Sequence, residues 1–464
     1  DNGQVNIGLV GGPSDVAITD FSATATPSGS YEVAEGDSVG DLDVDEVVLQ
    51  SGTLRDLAGN SANTSIVGVP TLASISALHI DGIAPLIKSF SASPATGTLA
   101  AGDQATITIN FTDDVYLAGT GSHKLYLNGV ATAVDVVNPN GNSVSVEYTV
   151  AENDASSDLS VDSLSLTGTA TLKDAGGNDV TNRITLSGVT NLDDAAGELV
   201  IDGVDPDPFR VSTVVVTGGT VKTHTDYGYW NSTNTGMTVM VPIDDDASLL
   251  NGSLQVKGFV SGVTANLGAA VNISTYDDSI PVAVTRAQLE AIPGYRDDRY
   301  IHLTAMITDA AGNDLDGSAS VDSFYIDEEL PIVSNITSTP NDALIGVAGT
   351  ANITVTFSES VTLADGYLVV DYADISTNDS VDVISGLSKT FEFAAVENDY
   401  STDLNVSDLS LTSGATLLDL AGNPTNLDSI TTNLSTNSAL WVDGKNPTIT
   451  GITASSTPDT LGVG

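Results

Sequence analysis

Short alternating runs dominate the chain. Thr106–Phe111, Ser145–Val150, Ile353–Phe357 and Phe391–Ala395 place apolar residues at every second position. That is the period of a strand with one buried face. The runs are rich in Val, Ile, Thr and Phe and are separated by Gly, Asn and Ser. One stretch, Thr285–Ile292, carries a helical pattern, and it allows at most two turns. Short strands with this turn chemistry predict an all-β protein of β-sandwiches.

Repeats organise these strands. An apolar-Asp-x-x-x-Pro phrase occurs at Ile80-Asp81, Ile201-Asp202, Ile326-Asp327 and Val442-Asp443, each closed by Pro85, Pro206, Pro331 and Pro447. The Asp residues are 121, 125 and 116 apart, one Ig-sized domain each time. Pro cannot extend a ladder and stiffens the exit, so the phrase reads as a linker. A second phrase, Asp-x-x-Gly-Asn, lies upstream of each linker at Asp56–Asn60, Asp174–Asn178, Asp309–Asn313 and Asp419–Asn423. Asp folds an Asx-turn and Gly and Asn tolerate positive φ, so this is a tight loop between strands. A third phrase, Glu-x-Asp-x3-Asp-Leu, starts at Glu35, Glu152 and Glu397 and is missing between Asp202 and Asp327. That repeat is a second subtype and holds Tyr227, Tyr229 and Trp230.

The expected architecture is therefore a tandem, elongated array of Ig-like, Greek-key β-sandwiches. Its boundaries are 1–81 (a repeat lacking its first strands), 82–202, 203–327 (the second subtype), 328–443, and 444–464 as the start of a further repeat. Aligned on the Glu-x-Asp phrase, repeat one begins near the position of Lys124, and Pro447–Gly464 matches the openings of repeats two and four. The reading is a window from a longer array, completed by flanking repeats or by an identical neighbouring subunit.

Charge narrows the partners. Thirteen Lys and Arg face 61 Asp and Glu, a net −48. No basic face for nucleic acid can be built on that background, and anionic membranes repel it. With 41% hydrophobic residues the chain is too apolar to be disordered. No run of about 18 apolar residues suggests membrane insertion. The first residues, Asp1–Gln4, carry no basic or apolar leader segment.

Cysteine is absent, which removes disulfides, zinc–thiolate sites and Cys nucleophiles. His79, His123, His224 and His302 lack any metal-ligand spacing and read as surface or half-buried strand residues. No G-x-S-x-G, P-loop or dinucleotide fingerprint occurs. The acids recur once per repeat, as structural elements do, so no enzyme is expected.

Calcium is the ligand these residues argue for, because it takes six to eight oxygens from carboxylates, carbonyls and water. Alternate loops of a sandwich lie at opposite ends. The Glu-x-Asp loop then sits beside its own linker, and the Asp-x-x-Gly-Asn loop faces the preceding linker. Junction one gathers Glu35, Asp37, Asp41, Asp81 and Asp174. Junction two gathers Glu152, Asp154, Asp158, Asp202, Asp205 and Asp309. Junction three has only Asp327, Glu328, Glu329 and Asp419, and ranks weakest. Junction four has Glu397, Asp399, Asp403 and Asp443. Crowded carboxylates raise one another's pKa or recruit a cation. Without metal, the same Asp residues serve as turn formers and solubilising charge.

The phrases carry a resemblance. Thr354–Leu363, Glu397–Asp399, Ala415–Asn423 and Trp441–Gly444 resemble the bacterial Ig-like repeats of giant cell-surface proteins and adhesins. Tyr229–Pro242 with Asp309–Asn313 resembles a second repeat type of the same large proteins. The resemblance implies extracellular or cell-surface display, semi-rigid stalks and calcium at domain junctions. The expected role is mechanical: a calcium-stiffened stalk, filament, sheath or surface layer. One alternative is an adhesin that binds a cell-surface glycan through Tyr227, Tyr229 and Trp230, though core packing is the simpler role for those rings. Another is an accessory module of a secreted polysaccharide-degrading enzyme.

Overall fold

The computed structural model describes residues 3–453, except 12–13, 20–23, 138, 181–183 and 185. The expected opening of a further repeat, 444–464, therefore lies outside the described residues from 454 onward. Nearly all of the regular secondary structure is strand, and these strands form Ig-like β-sandwiches in tandem. Two compact units divide it: Asp1–Asp205 with Ala311–Asn313, and Pro206–Ala310 with Asp314–Gly464.

In the first unit, Gln104–Ala118 pairs with Asn140–Thr149, Ile87–Ser93 and Thr171–Lys173 to make one sheet. Val134–Val136, His123–Leu127 and Val161–Leu166 make the facing one. Alternation decides the packing. Ala105, Ile107, Ile109 and Phe111 are buried, while Thr106, Thr108 and Asn110 point the other way. The buried side chains between Ile87 and Ile201 form one core. A short third sheet pairs Leu199–Asp202 with Gly97–Ala100 in parallel and with Ala155–Ser156 in antiparallel fashion. Residues before Asp81 supply the sheet Val16–Thr19, Gln4–Val10 and Asp43–Ser51 and the pair Ser38–Val39 with Ile80–Asp81.

The second unit holds two cores, one spanning Phe209 to Ile326 and one spanning Val333 to Val442. The latter repeats the plan of the core between Ile87 and Ile201 around Thr350–Ala364, with Asn426–Ile430 added parallel to Ile332–Thr339. The former differs. Its larger sheet runs Gly228–Asn231, Ser323–Asp327, Arg299–Thr308, Ser253–Val260 and Val263–Asn266, an order the other two cores do not share. Arg286–Glu290 is helical, with Thr285 as its capping box. Single turns at Leu72–Ile75 and Leu434–Asn437 add to the one helical stretch that the pattern predicts. No helix of the described residues is long and apolar enough to cross a membrane.

His123 departs from the surface or half-buried placement expected of it. It is 1% exposed, and both ring nitrogens lack a hydrogen-bond partner. Its strand alternates correctly, but the inward position holds an imidazole rather than an aliphatic side chain.

Candidate functional site

The three Glu-x-Asp turns share one construction. The middle residue has positive φ (Gly36 91°, Asn153 68°, Asn398 80°), which explains Gly or Asn there. The following Asp is buried in each case: Asp37, Asp154 and Asp399. Its carboxylate collects donors from its own sandwich. Asp37 accepts from the Tyr31 hydroxyl and from Ala34 N–H. Asp154 accepts from the Tyr148 hydroxyl at 2.8 Å, Ala151 N–H at 3.0 Å and Ala131 N–H at 3.2 Å. Asp399 accepts from the Thr377 hydroxyl and from Val396 N–H. The turn's backbone also binds the Gly after the linker Asp: Gly82, Gly203 and Gly444 each donate to the turn Asp carbonyl at 2.7–2.8 Å. These carboxylates lock turn to linker.

The remaining members of that loop lie further out. Asp41 and Asp158 accept from Leu78 N–H and Leu199 N–H. Glu35, Glu152, Glu397 and Asp403 are exposed, as is Asp205. Asp81, Asp202 and Asp443 fold Asx-turns onto the residue two positions on.

The Asp-x-x-Gly-Asn loops hold what the sequence reading missed. Asp174 and Asp419 are buried and receive the N–H and side-chain amide of Asn178 and Asn423. Asp309 is buried as well. Only the Gly adopts positive φ, 91° at Gly177, 115° at Gly312 and 101° at Gly422. The Asn is not there for its backbone. Its side chain reaches the preceding linker: Asn178 Nδ2 donates to Asp81 O at 2.9 Å, Asn313 to Asp202 O at 2.8 Å, and Asn423 to Asp327 O at 2.8 Å. Asn313 and Asn423 also accept through Oδ1, from Ala101 N–H at 2.9 Å and Ser232 N–H at 2.8 Å. The carboxamides of Asn313 and Asn423 thus bridge a strand-end N–H and a linker carbonyl. A recurring Asn three residues after the Asx-turn's Asp-x was the signal available in the sequence.

Among the described residues, one set of three carboxylates converges. Oxygens of Asp327, Glu359 and Asp419 lie within 4.8 Å of one another. They come from a linker, from the strand Thr350–Ala364 and from an Asp-x-x-Gly-Asn loop. The sequence reading ranked this junction last, yet its carboxylates are the closest together. Glu359 escaped that reading because it sits in a strand outside the three phrases; Asp113 occupies the matching place in repeat two and lines a cavity with Asp81. Burial and the charge of Asp419, with lesser repulsion from Asp297, Asp298 and Glu329, push Asp327 up to about 6. Burial, then Asp419, Asp327 and Glu329, push Glu359 up to about 7. No ion pair among the described residues involves any of the three. Oxygen-only donors with unrelieved negative charge fit a hard cation such as calcium.

Asp297 and Asp298 are both hydrogen-bonded. Asp297 accepts from Glu328 N–H at 2.5 Å and Asp298 from the Tyr325 hydroxyl at 2.7 Å. Nor is Trp230 available to a sugar. It is fully buried, its indole N–H donates to Tyr295 at 2.6 Å, and the Arg286 guanidinium lies 5.0 Å from its ring centroid. Tyr229 is also buried, with Tyr227 edge-on to it at 5.3 Å.

No family model and no curated protein matches this chain. Among solved structures, the crystal structure of the chicken CNTN1 FN1-FN3 domains is similar at 10% identity. The match covers 73% of this chain and 94% of that one, with a TM-score of 0.20.

Proposed function

We propose that this chain is an extracellular, cell-surface spacer. Its tandem sandwiches are held in fixed succession by Asn clamps at their junctions and stiffened by calcium. The observation that carries the reading is the recurrence of one hydrogen bond, from the Asn of an Asp-x-x-Gly-Asn loop to the carbonyl of the preceding linker Asp, at three junction phrases. A binding protein has no reason to repeat such a contact, whereas a spacer needs it at every joint. Calcium is assigned to Asp327, Glu359 and Asp419, where a divalent ion offsets the repulsion that raises two of the three carboxyls. A medium rich in salt and divalent ions also suits a net charge of −48.

Small-angle scattering and thermal unfolding, with calcium and then with EGTA, test the reading. A stiffened spacer gives a longer, better-defined particle and a higher melting temperature with calcium. Identical profiles in both conditions would remove calcium from the mechanism and leave stiffness to the Asn clamps.

One observation favours a second, adhesive role. Leu344, Tyr400 and Trp441 are 71%, 45% and 57% exposed. Matching register in the first unit places Thr98, Ala155 and Val200 at those positions. Glycan-array binding that is lost in Trp441→Ala supports this role, and a blank array removes it.

A further inference from the structure

In the core that spans Phe209 to Ile326, the larger sheet carries rings on its outer face. Along Arg299–Thr308 the buried Ile301, Leu303 and Ala305 alternate with Tyr300, His302 and Thr304, which point away from the core. Register fixes where the outward rings meet. Tyr229, Tyr325 and Tyr300 lie opposite one another on three neighbouring strands, and Phe259 lies opposite His302 on a fourth. Tyr227 packs over the tyrosine row, 5.3 Å from Tyr229, 5.8 Å from Tyr325 and 5.4 Å from Tyr300. His224 stacks on Tyr227 at 4.4 Å, and Phe259 lies 6.2 Å from His302. Together these side chains make a track of rings on the order of 20 Å long at ordinary strand spacings. A spacer has no use for it. Outward positions in the other two cores carry hydroxyls instead, paired as Thr108 with Ser145 and Thr354 with Thr390.

The track has satisfied members and unsatisfied ones. Tyr229 is buried, and the Tyr325 hydroxyl donates to Asp298 at 2.7 Å. Tyr300 and Phe259 are 41% and 39% exposed. Neither the Tyr300 hydroxyl nor either ring nitrogen of His302 has a hydrogen-bond partner among the described residues. An occupant of this face must therefore offer flat apolar patches to the rings and polar groups to the free tips. A sugar offers both, since the C–H face of a pyranose stacks on a ring while its hydroxyls pair with phenol and imidazole. A protein partner finds little aliphatic surface beside the rings, where Thr264 lies opposite Phe259 and Asn266 opposite Lys257. Charge then selects among sugars. Asp226 lies 3.8 Å from His224, Asp298 holds Tyr325, and Lys257 is already paired with Asp316. On a chain of net charge −48 this border repels anionic glycans and admits neutral ones. Edge contacts from Tyr227 and Tyr325 also brace Tyr300, so little side-chain freedom is lost on binding.

We propose that this outer face binds a neutral oligosaccharide, laid along Tyr300, His302 and Phe259 and continued by Tyr227 and His224. Tyr300 and Phe259 stack on sugar rings, and the Tyr300 hydroxyl and the His302 imidazole bond to sugar hydroxyls. The site goes beyond the spacer reading and is separate from the exposed face around Trp441. It also differs from the rings that sequence order groups together, because Tyr229 and Trp230 are buried while Tyr300, His302 and Phe259 reach the track only through strand pairing.

The test is an array of neutral oligosaccharides (glucan, mannan, galactan and chitin fragments) and acidic ones (alginate and polygalacturonate fragments), probed with the full chain. Calorimetric titration with the neutral fragments that bind follows. The wild type retains at least one neutral series and no acidic one. Tyr300→Ala and Phe259→Ala each lower the affinity about tenfold, the loss of one stacked ring. The double variant no longer binds, and Trp441→Ala binds as the wild type does. Both substituted side chains are exposed, so a melting curve like the wild type's shows that each variant is folded. An array blank for neutral sugars overturns the proposal, as does binding that survives the double variant or that is lost in Trp441→Ala. Self-association of the chain that Tyr300→Ala abolishes overturns it too and gives the face to a second copy. None of these results bears on the scattering test with calcium and EGTA, so the spacer reading stands or falls separately.

Discussion

Asn423 donates its side-chain amide to the backbone carbonyl of Asp327, 96 residues earlier, at 2.8 Å, while its Oδ1 accepts from Ser232 N–H. Asn423 is 0% exposed, and its two backbone partners are half-buried. Asn423→Ala leaves a half-buried N–H and a half-buried carbonyl without this partner. The expected cost is about 1–3 kcal/mol, read by chemical denaturation. Asn423→Asp should cost more, because it removes the donor and adds a charge beside Asp419. An alanine variant as stable as the wild type would show the clamp to be incidental.

Glu359→Gln removes one of three mutually repelling carboxylates. In EGTA the variant should melt about 2–4 °C above the wild type. Its gain on adding calcium should be smaller than the wild type's, because a ligand is gone. A melt that responds to calcium as the wild type does would place the ion elsewhere.

The buried, unpartnered imidazole of His123 gives a pH dependence. Burial lowers its pKa in the folded chain, so the unfolded chain takes up a proton first. The stabilising difference is complete above the unfolded value near 6.5 and is lost as pH falls below it. His123→Leu should remove this acid-side loss. It should also add about 1–2 kcal/mol at neutral pH by relieving two unsatisfied nitrogens. Parallel pH profiles for variant and wild type between pH 7 and 5 would contradict this.

Tyr148→Phe tests whether the Glu-x-Asp turn is a hydrogen-bonded corner or a metal ligand. Loss of the 2.8 Å bond to the buried Asp154 should cost about 1–2 kcal/mol, equally in calcium and in EGTA. A cost that appears in only one of those conditions would return Asp154 to the calcium set.

Trp230→Ala should destabilise the chain by about 3–5 kcal/mol, the loss of a large buried ring and its bond to Tyr295. A folded, fully stable variant would mean the ring is not in the core.

The sandwich architecture was legible because its signals are local. Period-two runs such as Thr106–Phe111 need no knowledge of their neighbours to place Ile107 and Ile109 inside. The phrases also located turns and linkers, since Asx-turn chemistry at Asp174 and Asp419 is written in adjacent residues. The site was less legible because its members meet only through the fold. Glu359 and Asp327 belong to different elements, and proximity between strands leaves no trace in spacing. Asn178 and Asn423 were visible, but Asn after Gly suggests backbone freedom first. Only the structure shows that the carboxamide does the joining. Core packing, the simpler role for Trp230 and Tyr229, is the one the structure shows.

The parallel pairing of Asp342–Gly346 with Ala439–Asp443, matched by Gly97–Ala100 with Leu199–Asp202, has a mechanical meaning. One of these strands is the second of its repeat and the other is the last. A pull along the chain drags them past each other lengthwise, so every rung is loaded at once rather than peeled one after another. Resistance to tension then grows with the number of rungs, and an Asn carboxamide seated at the ladder's end adds another. The joint that fixes one repeat to the next also reinforces the repeat it grips.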